Sequence, residues 1–324
     1  MKCKHIKTVL VVVALVFFSA SATLADDYPS KPVNLYIGYS GGGSTDISAR
    51  LLANLAQKDF SQPIVCINKP GGVSSVMHGL VAHSKPDGYT LGVLMTAAIT
   101  RIPHLRTVPY NPLSDFVPIM QYAVYQYGIC VRSDSPFKKL SDFIEYAKEN
   151  PGKVTYSTAG SGSGQHLAME YLALKEGIKW THIPYKGGVP AVTACLGGHV
   201  TATAQTIEWK PYVEAGQLRL LAVMGEKRIE SFPDVPTMLE LGYDFTVGAG
   251  LGIVGPKGLP DSVVKKIADA FTAASKEEGF KALLNKLDLL PLAKNRQELE
   301  SEMAKEYQQT GELVKGLGMG IYSK

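Results

Sequence analysis

Apolar and polar positions along the chain alternate between two periods. Val33 to Tyr39 is an apolar-rich run that reads as a buried strand. From Asp46 to about Lys58 the apolar positions Leu51, Leu52, Leu55 and Ala56 fall on one helical stripe. The same order returns with a strand at Pro63 to Ile67, a turn at Asn68 to Gly72 and a helix at Ser74 to His83. Thr90 to Met95 predicts a third strand, entered through the turn Lys85-Pro86-Asp87-Gly88. A second unit begins after Gln121. It reads as a strand at Gly128 to Arg132, a helix at Leu140 to Glu149 stopped by Asn150-Pro151-Gly152, a strand at Val154 to Thr158 and a helix at Gln165 to Glu176. His182 to Tyr185, a helix over Ala191 to Leu196, and Val200 to Ala204 continue the alternation, and Leu218 to Met224 reads as a strand returning to the first unit. The remainder predicts helices at Ser262 to Ala274, Lys276 to Leu287 and Gln297 to Leu317, with Asp261 as N-cap of the first. Alternation of this kind predicts an α/β fold built on a mostly parallel sheet with helices on both faces.

The first residues carry a different pattern. Lys2, Lys4 and Lys7 precede an unbroken apolar run from Val9 to Phe18, and small residues follow from Ser19 to Ala25. Thr23-Leu24-Ala25 ahead of Asp26 fits a cleavage site, so residues 1–25 read as a secretory signal peptide and the mature chain as exported to the periplasm. The apolar run is shorter than the ~20 residues that span a bilayer, which disfavours the competing reading of a membrane anchor. Three of the 33 Lys and Arg residues, and none of the 29 Asp and Glu, lie in this leader, which leaves a mature balance of +1. No basic stripe or Arg-rich tract points to a nucleic-acid partner. Mature Cys66, Cys130 and Cys195 are odd in number and widely spaced, match no zinc or redox pattern, and read as small buried residues.

The sharpest local feature occurs twice. A strand ends, a loop of Gly, Ser and Thr follows, and a helix starts at once. The first loop is Ser40-Gly41-Gly42-Gly43-Ser44-Thr45-Asp46; the second is Ala159-Gly160-Ser161-Gly162-Ser163-Gly164-Gln165-His166. Glycines let successive N–H groups turn one way with no Cβ to obstruct a ligand. The helix behind each loop begins with unpaired N–H groups at its positive end, so each loop is suited to an anion, carboxylate or phosphate. Each is equally compatible with an ordinary helix N-terminus. Neither fits G-x-x-x-x-G-K-[ST] or G-x-G-x-x-G, and Gly162 breaks the G-x-S-x-G of a serine hydrolase. His166 and Glu170 stand four apart but lack a third metal ligand, so no metal and no cofactor is expected. Tyr122, Tyr125 and Tyr127 alternate as if on one strand and read as packing residues or as an aromatic wall for a ligand. No nucleophile, base and orienting group form a set, so catalysis is not expected.

The chain resembles the substrate-binding receptors of tripartite tricarboxylate transporters, the Bug family, over nearly its whole mature length. The resemblance rests on Tyr28-Pro29-Ser30-Lys31-Pro32-Val33, Gly42-Gly43-Ser44-Thr45-Asp46, Pro86-Asp87-Gly88-Tyr89-Thr90-Leu91 and Tyr110-Asn111-Pro112-Leu113-Ser114-Asp115-Phe116. It continues through Tyr146 to Lys153, Gly160-Ser161-Gly162-Ser163 with His166-Leu167-Ala168, His182 to Gly188, Leu196-Gly197-Gly198 and Pro233-Asp234-Val235-Pro236-Thr237. It implies a type II periplasmic-binding-protein fold: two lobes joined by two crossover strands, with the ligand in the cleft between them. The first lobe is expected at 26–122 plus 226–324, the second at 123–225.

The resemblance further implies that the loops matching Tyr39 to Asp46 and Ala159 to His166 pinch one ligand carboxylate, partly through ordered water. Thr96, Ala97, Ala98 and the strand end at Gln205 would then face the variable end of the ligand. The implied function is capture of a small carboxylate for a two-subunit membrane permease, with presentation to a sensor kinase as the alternative and hydrolysis as a remote one. Three departures bear on the ligand. Ser40-Gly41 stands where the family usually has proline, Ala97-Ala98-Ile99-Thr100 replaces a more polar stretch containing Asn, and Thr201 and Gln205 stand where aspartates are common. With Gln at 205 a ligand ammonium loses a partner and a dianion loses a repulsion, so a mono- or dicarboxylate without an amino group is expected.

Overall fold

The computed structural model describes residues 28–185 and 188–323; the expected signal peptide lies outside them. Two sheets, each with its own core, make up the molecule. The first has the order β11-β4-β10-β3-β1-β2 and the second β7-β6-β8-β5-β9. The elements of the first are β1 (Val33–Ile37), α1 (Ser44–Ala56), β2 (Ile64–Asn68), α2 (Ser75–Ala82), β3 (Thr90–Met95), α3 (Thr96–Thr100), α4 (Ile102–Leu105) and β4 (Phe116–Tyr125). The chain then builds β5 (Gly128–Arg132), α5 (Leu140–Glu149), β6 (Thr155–Thr158), α6 (Gly164–Glu176), β7 (Thr181–Pro184), α7 (Gly188–Leu196), β8 (Ala202–Gln205), α8 (Lys210–Glu214) and β9 (Leu218–Val223). It returns to the first sheet through β10 (Gly250–Pro256), α9 (Asp261–Ser275), α10 (Glu278–Lys286), β11 (Leu289–Asn295) and α11 (Arg296–Gly316).

Each sheet is covered on both faces because its strands bury side chains alternately. Along β3, Leu91, Val93 and Met95 join Val33, Leu35, Ala49, Leu52 and Phe271 in one core, while Leu94 joins Met77, Val81, Leu299 and Met303 on the other face. In the second sheet Ile129 and Val131 of β5 pack with Phe143, Tyr156 and Met169, and Cys130 packs with Val192, Cys195 and Trp209. Fully burying a side chain of this size is worth about 1.5–3 kcal/mol, so each sheet holds itself together. The three cysteines are unpaired, Cys130 and Cys195 within the core, as expected of small apolar residues.

Four expectations need correction. The sheets are mixed rather than mostly parallel: β2-β1-β3 and β7-β6-β8 run parallel, and β10, β4, β11, β5 and β9 add antiparallel pairs. Leu218 to Val223 does not return to the first sheet but forms the edge of the second, on β5; the stretch after it still contributes Ile229, Met238 and Val247 to the second sheet's cores. Asp261 is not an N-cap, because helix α9 begins at it after Pro260 and no side chain caps it. The three tyrosines do not share a strand: Tyr122 and Tyr125 are in β4, and Tyr127 lies in the link to β5. Among the described residues no helix is long and apolar enough to cross a membrane.

Candidate functional site

The two glycine loops both follow the C-terminal ends of parallel strands, β1 and β6, and lead into α1 and α6. Carboxyl ends of parallel strands are where α/β sheets present helix N-termini to ligands. In the first loop Gly42 has φ +85°, a region that L side chains rarely adopt. Asp46 holds this loop from inside: its carboxylate accepts the Gly42 N–H at 2.9 Å, Asn68 Nδ2 at 2.8 Å and Arg50 Nε at 2.9 Å. Asn68 also donates to Tyr39 O at 2.9 Å. Burial works to raise the Asp46 pKa, but these bonds from Gly42, Asn68 and Arg50 hold it below the usual range. Asp46 therefore shapes the loop, with Asn68 and Arg50 behind it. Ser40, Gly41 and Gly43 are exposed. Ser44 and Thr45 direct their hydroxyls to the Tyr125 hydroxyl, Ser44 at 3.1 Å.

The second loop is held in a comparable way. Gly160 and Gly162 have φ +137° and +78°. Gly162 N–H donates to His166 Nδ1 at 3.1 Å, Gly160 N–H to Thr158 Oγ1 at 3.2 Å, and Ser163 caps α6 by accepting the His166 N–H at 3.3 Å. The His166 ring stacks on His182 at 4.0 Å, and His182 Nε2 meets Thr158 Oγ1 at 2.8 Å. Burial pushes both histidines down to about 4, so both are neutral at pH 7, as the Gly162 bond requires of Nδ1. Glu170 bonds the Tyr156 hydroxyl instead of sharing a metal with His166, and no cluster with metal-ligand composition occurs among the described residues. Ser161 is exposed, and Ala159 is partly exposed beside it.

The second loop packs against α4 and the residue that precedes it. A Cβ on Gly162 would stand 2.8 Å from Leu105 Cδ1 of α4, and one on Gly164 would stand 2.4 Å from Arg101 Nη1. Arg101, between α3 and α4, donates from Nη2 to Gly248 O at 3.0 Å, just before β10. Tyr39, Tyr125, Tyr127 and Arg101 form one neighbourhood. Burial raises the pKa of Tyr39, with Tyr125 and Tyr127 adding to it and Arg101 opposing; Tyr127 is raised by burial with Arg101 opposing. Tyr122 instead packs on Phe280 in the core and meets Ser48. Thr96 Oγ1 accepts the Gly250 N–H at 2.8 Å, and Ala97 and Ala98 are buried in the first core. Gln205 is fully buried at the end of β8, its Oε1 3.4 Å from Gln165 Nε2 and its own Nε2 without a partner among the described residues. Sequence reasoning missed Arg101, Asn68 and Arg50: none stands in a motif, and each meets its partners only through the fold.

Two mixed α/β sheets, each with its own core and each with a glycine loop at the carboxyl end of a parallel strand, define the class of fold. The family described as "Tripartite tricarboxylate transporter family receptor" matches residues 48–319, and the chain belongs to it. It is 41% identical over 295 residues to the "UPF0065 protein in gbd 5'region" of Cupriavidus necator, covering 91% of this chain and 90% of the relative. The solved structure of R. palustris Rpa4515 with adipate is similar at TM-score 0.79 and 26% identity, covering 91% of this chain and 99% of that one. MatC (Rpa3494) from Rhodopseudomonas palustris with bound malate is similar at TM-score 0.74 and 27% identity, covering 89% and 100%. The chain is thus a solute-binding receptor by family, and its structural neighbours are binding proteins.

Proposed function

We propose that the protein is a periplasmic receptor that captures a small carboxylate without an amino group in the cleft and delivers it to a tripartite tricarboxylate-type permease. The observation that carries this reading is the pair of glycine loops at the starts of α1 and α6. Among the described residues the N–H groups of Gly43, Ser44 and Thr45 in one, and of Ser161, Gly164 and Gln165 in the other, have no intramolecular acceptor. Charge-assisted hydrogen bonds contribute roughly 1.5–3 kcal/mol each, enough to offset much of a carboxylate's desolvation. Gln205 supports the exclusion of an amino group, because its unpartnered Nε2 is a donor that a ligand oxygen would satisfy and an ammonium would not. Adipate and malate, bound by two structural neighbours, are both carboxylates lacking an amino group.

The reading is tested by thermal-shift titration of ligand-stripped protein with carboxylates and their methyl esters or amides. The acid is expected to raise the melting temperature and the ester not, since helix N-termini favour a full negative charge. Equal shifts for acid and ester would overturn it.

A further inference from the structure

Arg101 belongs to no motif, yet it stands against the helix behind the second loop and near Tyr39 at the end of β1. It is 7% exposed, and its guanidinium is poorly employed for so buried a charge. One hydrogen bond from Nη2 reaches Gly248 O, and the same nitrogen stands 3.5 Å from Glu306 Oε1, a loose ion pair outside good hydrogen-bond range. Nη1 lies over Gly164, the first residue of the 13-residue helix α6. A cation pressed against a helix N-terminus opposes the dipole, and the arrangement becomes favourable when an anion contacts both. The surroundings supply further donors for such an anion: the N–H groups of Gly164 and Gln165, and the fully buried, unpartnered Nε2 of Gln205 beside Gln165.

Glu306, on α11, is a weak permanent partner. Burial lifts its carboxyl above the ordinary range, with Arg101 opposing, while Lys294 nearby is engaged by Glu302. Its side chain is 30% exposed and also meets Thr100. Near Arg101 are Tyr125, tied to Ser44 and Thr45, and Tyr39 and Tyr127, whose hydroxyls have no partner among the described residues. These rings offer an apolar bridge between two anion-binding ends. The other charge near them, Glu208, lies over Gly188 at the start of α7 and bonds Thr206.

We propose that Arg101 is the specificity-determining residue of the cleft: its guanidinium takes a second carboxylate of the ligand, and Glu306 occupies that carboxylate's place in this structure. The inference rests on the carboxylate-receptor reading and narrows it to dicarboxylates. Arginine suits the role because its planar fork pairs a carboxylate at two points.

The test is calorimetric titration of wild type, Arg101→Gln, Arg101→Lys and Glu306→Gln with unbranched dicarboxylates from succinate to suberate and with the monocarboxylate of matching length. Arg101→Gln is expected to weaken the best dicarboxylate by about tenfold or more and the matched monocarboxylate by less than about twofold. Arg101→Lys, which keeps the charge and loses the fork, falls between. Glu306→Gln is expected to tighten the dicarboxylate by about threefold or more, because it removes the competing anion. Equal losses for both ligands in the Arg101 variants, or weaker dicarboxylate binding in Glu306→Gln, would make Arg101 a structural pin and overturn the inference while the receptor reading stands. No heat and no thermal shift from any carboxylate with wild type would overturn both. If Arg101→Gln fails to fold, Glu306→Gln and Arg101→Lys decide alone.

Discussion

At the residue scale the second loop separates two kinds of contribution. Ser161 is exposed, and neither its N–H nor its hydroxyl has a partner among the described residues, so it is free to donate. Ser161→Ala removes one hydroxyl and is expected to weaken carboxylate binding by about 1 kcal/mol with little change in melting temperature. Gly162 is different. At φ +78°, and with its Cβ position 2.8 Å from Leu105 Cδ1, valine there meets both backbone strain and a side-chain clash. Gly162→Val is expected to lower the melting temperature and to weaken binding well beyond the serine variant. Calorimetry beside thermal melts on both variants checks this, and unchanged affinity in the valine variant would remove the second loop from the site.

At the element scale the second loop and α6 depend on neutral histidine. Gly162 N–H donates to His166 Nδ1, which must carry no proton, and His182 stacks on the same ring. The folded-state values are depressed to about 4, below the ordinary 6.5 of the unfolded chain. As the pH falls through that window the unfolded state takes up protons that the folded state refuses, so stability is fully present above pH 6.5 and is lost toward pH 4. For the coupled pair the loss is on the order of 2–4 kcal/mol. Denaturant titrations between pH 7 and 4.5 should show it, and His166→Gln should flatten the slope; an unchanged slope in that variant would assign the pH dependence elsewhere.

This scale also shows what was legible in the sequence. Gly128–Arg132, Leu140–Glu149 and Thr90–Met95 match their expected bounds because hydrophobic period and turn residues agree there. The strands β4, β10 and β11 were not read. β10 has glycine at three of its seven positions, and β11 carries Pro291 and alternates partly exposed positions, so neither shows a strand's usual apolar signature. Both loops were legible because glycine and helix onset are local. Arg101 was not: its stretch is apolar, and its carbonyl partner lies 147 residues away.

At the scale of the whole molecule, each sheet has its own core, while the cleft depends on how closely the two approach. Gly164 is one place where the second sheet's elements meet Arg101 of the first. A Cβ there would stand 2.4 Å from Arg101 Nη1 and 2.5 Å from Val247 Cγ1. Gly164 is not in the left-handed region, so a larger residue brings no local backbone strain and acts through the space it fills, against both Arg101 and the core residue Val247. Because Val247 belongs to the second sheet's core, Gly164→Val is expected to lower the melting temperature somewhat, with both sheets retained by circular dichroism. Arg101 and α6 would be held apart, and anything that must touch both would lose one side of its site. Affinity for the best carboxylate is therefore expected to fall by about tenfold or more, corresponding to about 1.4 kcal/mol or more. The stabilisation that a ligand gives wild type, about 2.7 kcal/mol at a concentration 100 times Kd, should shrink accordingly in the variant at that same concentration. Small-angle scattering with and without ligand gives the independent reading: wild type compacts on binding, and Gly164→Val does not. Wild-type affinity and compaction in the variant would mean that the ligand binds without bringing Arg101 and α6 together.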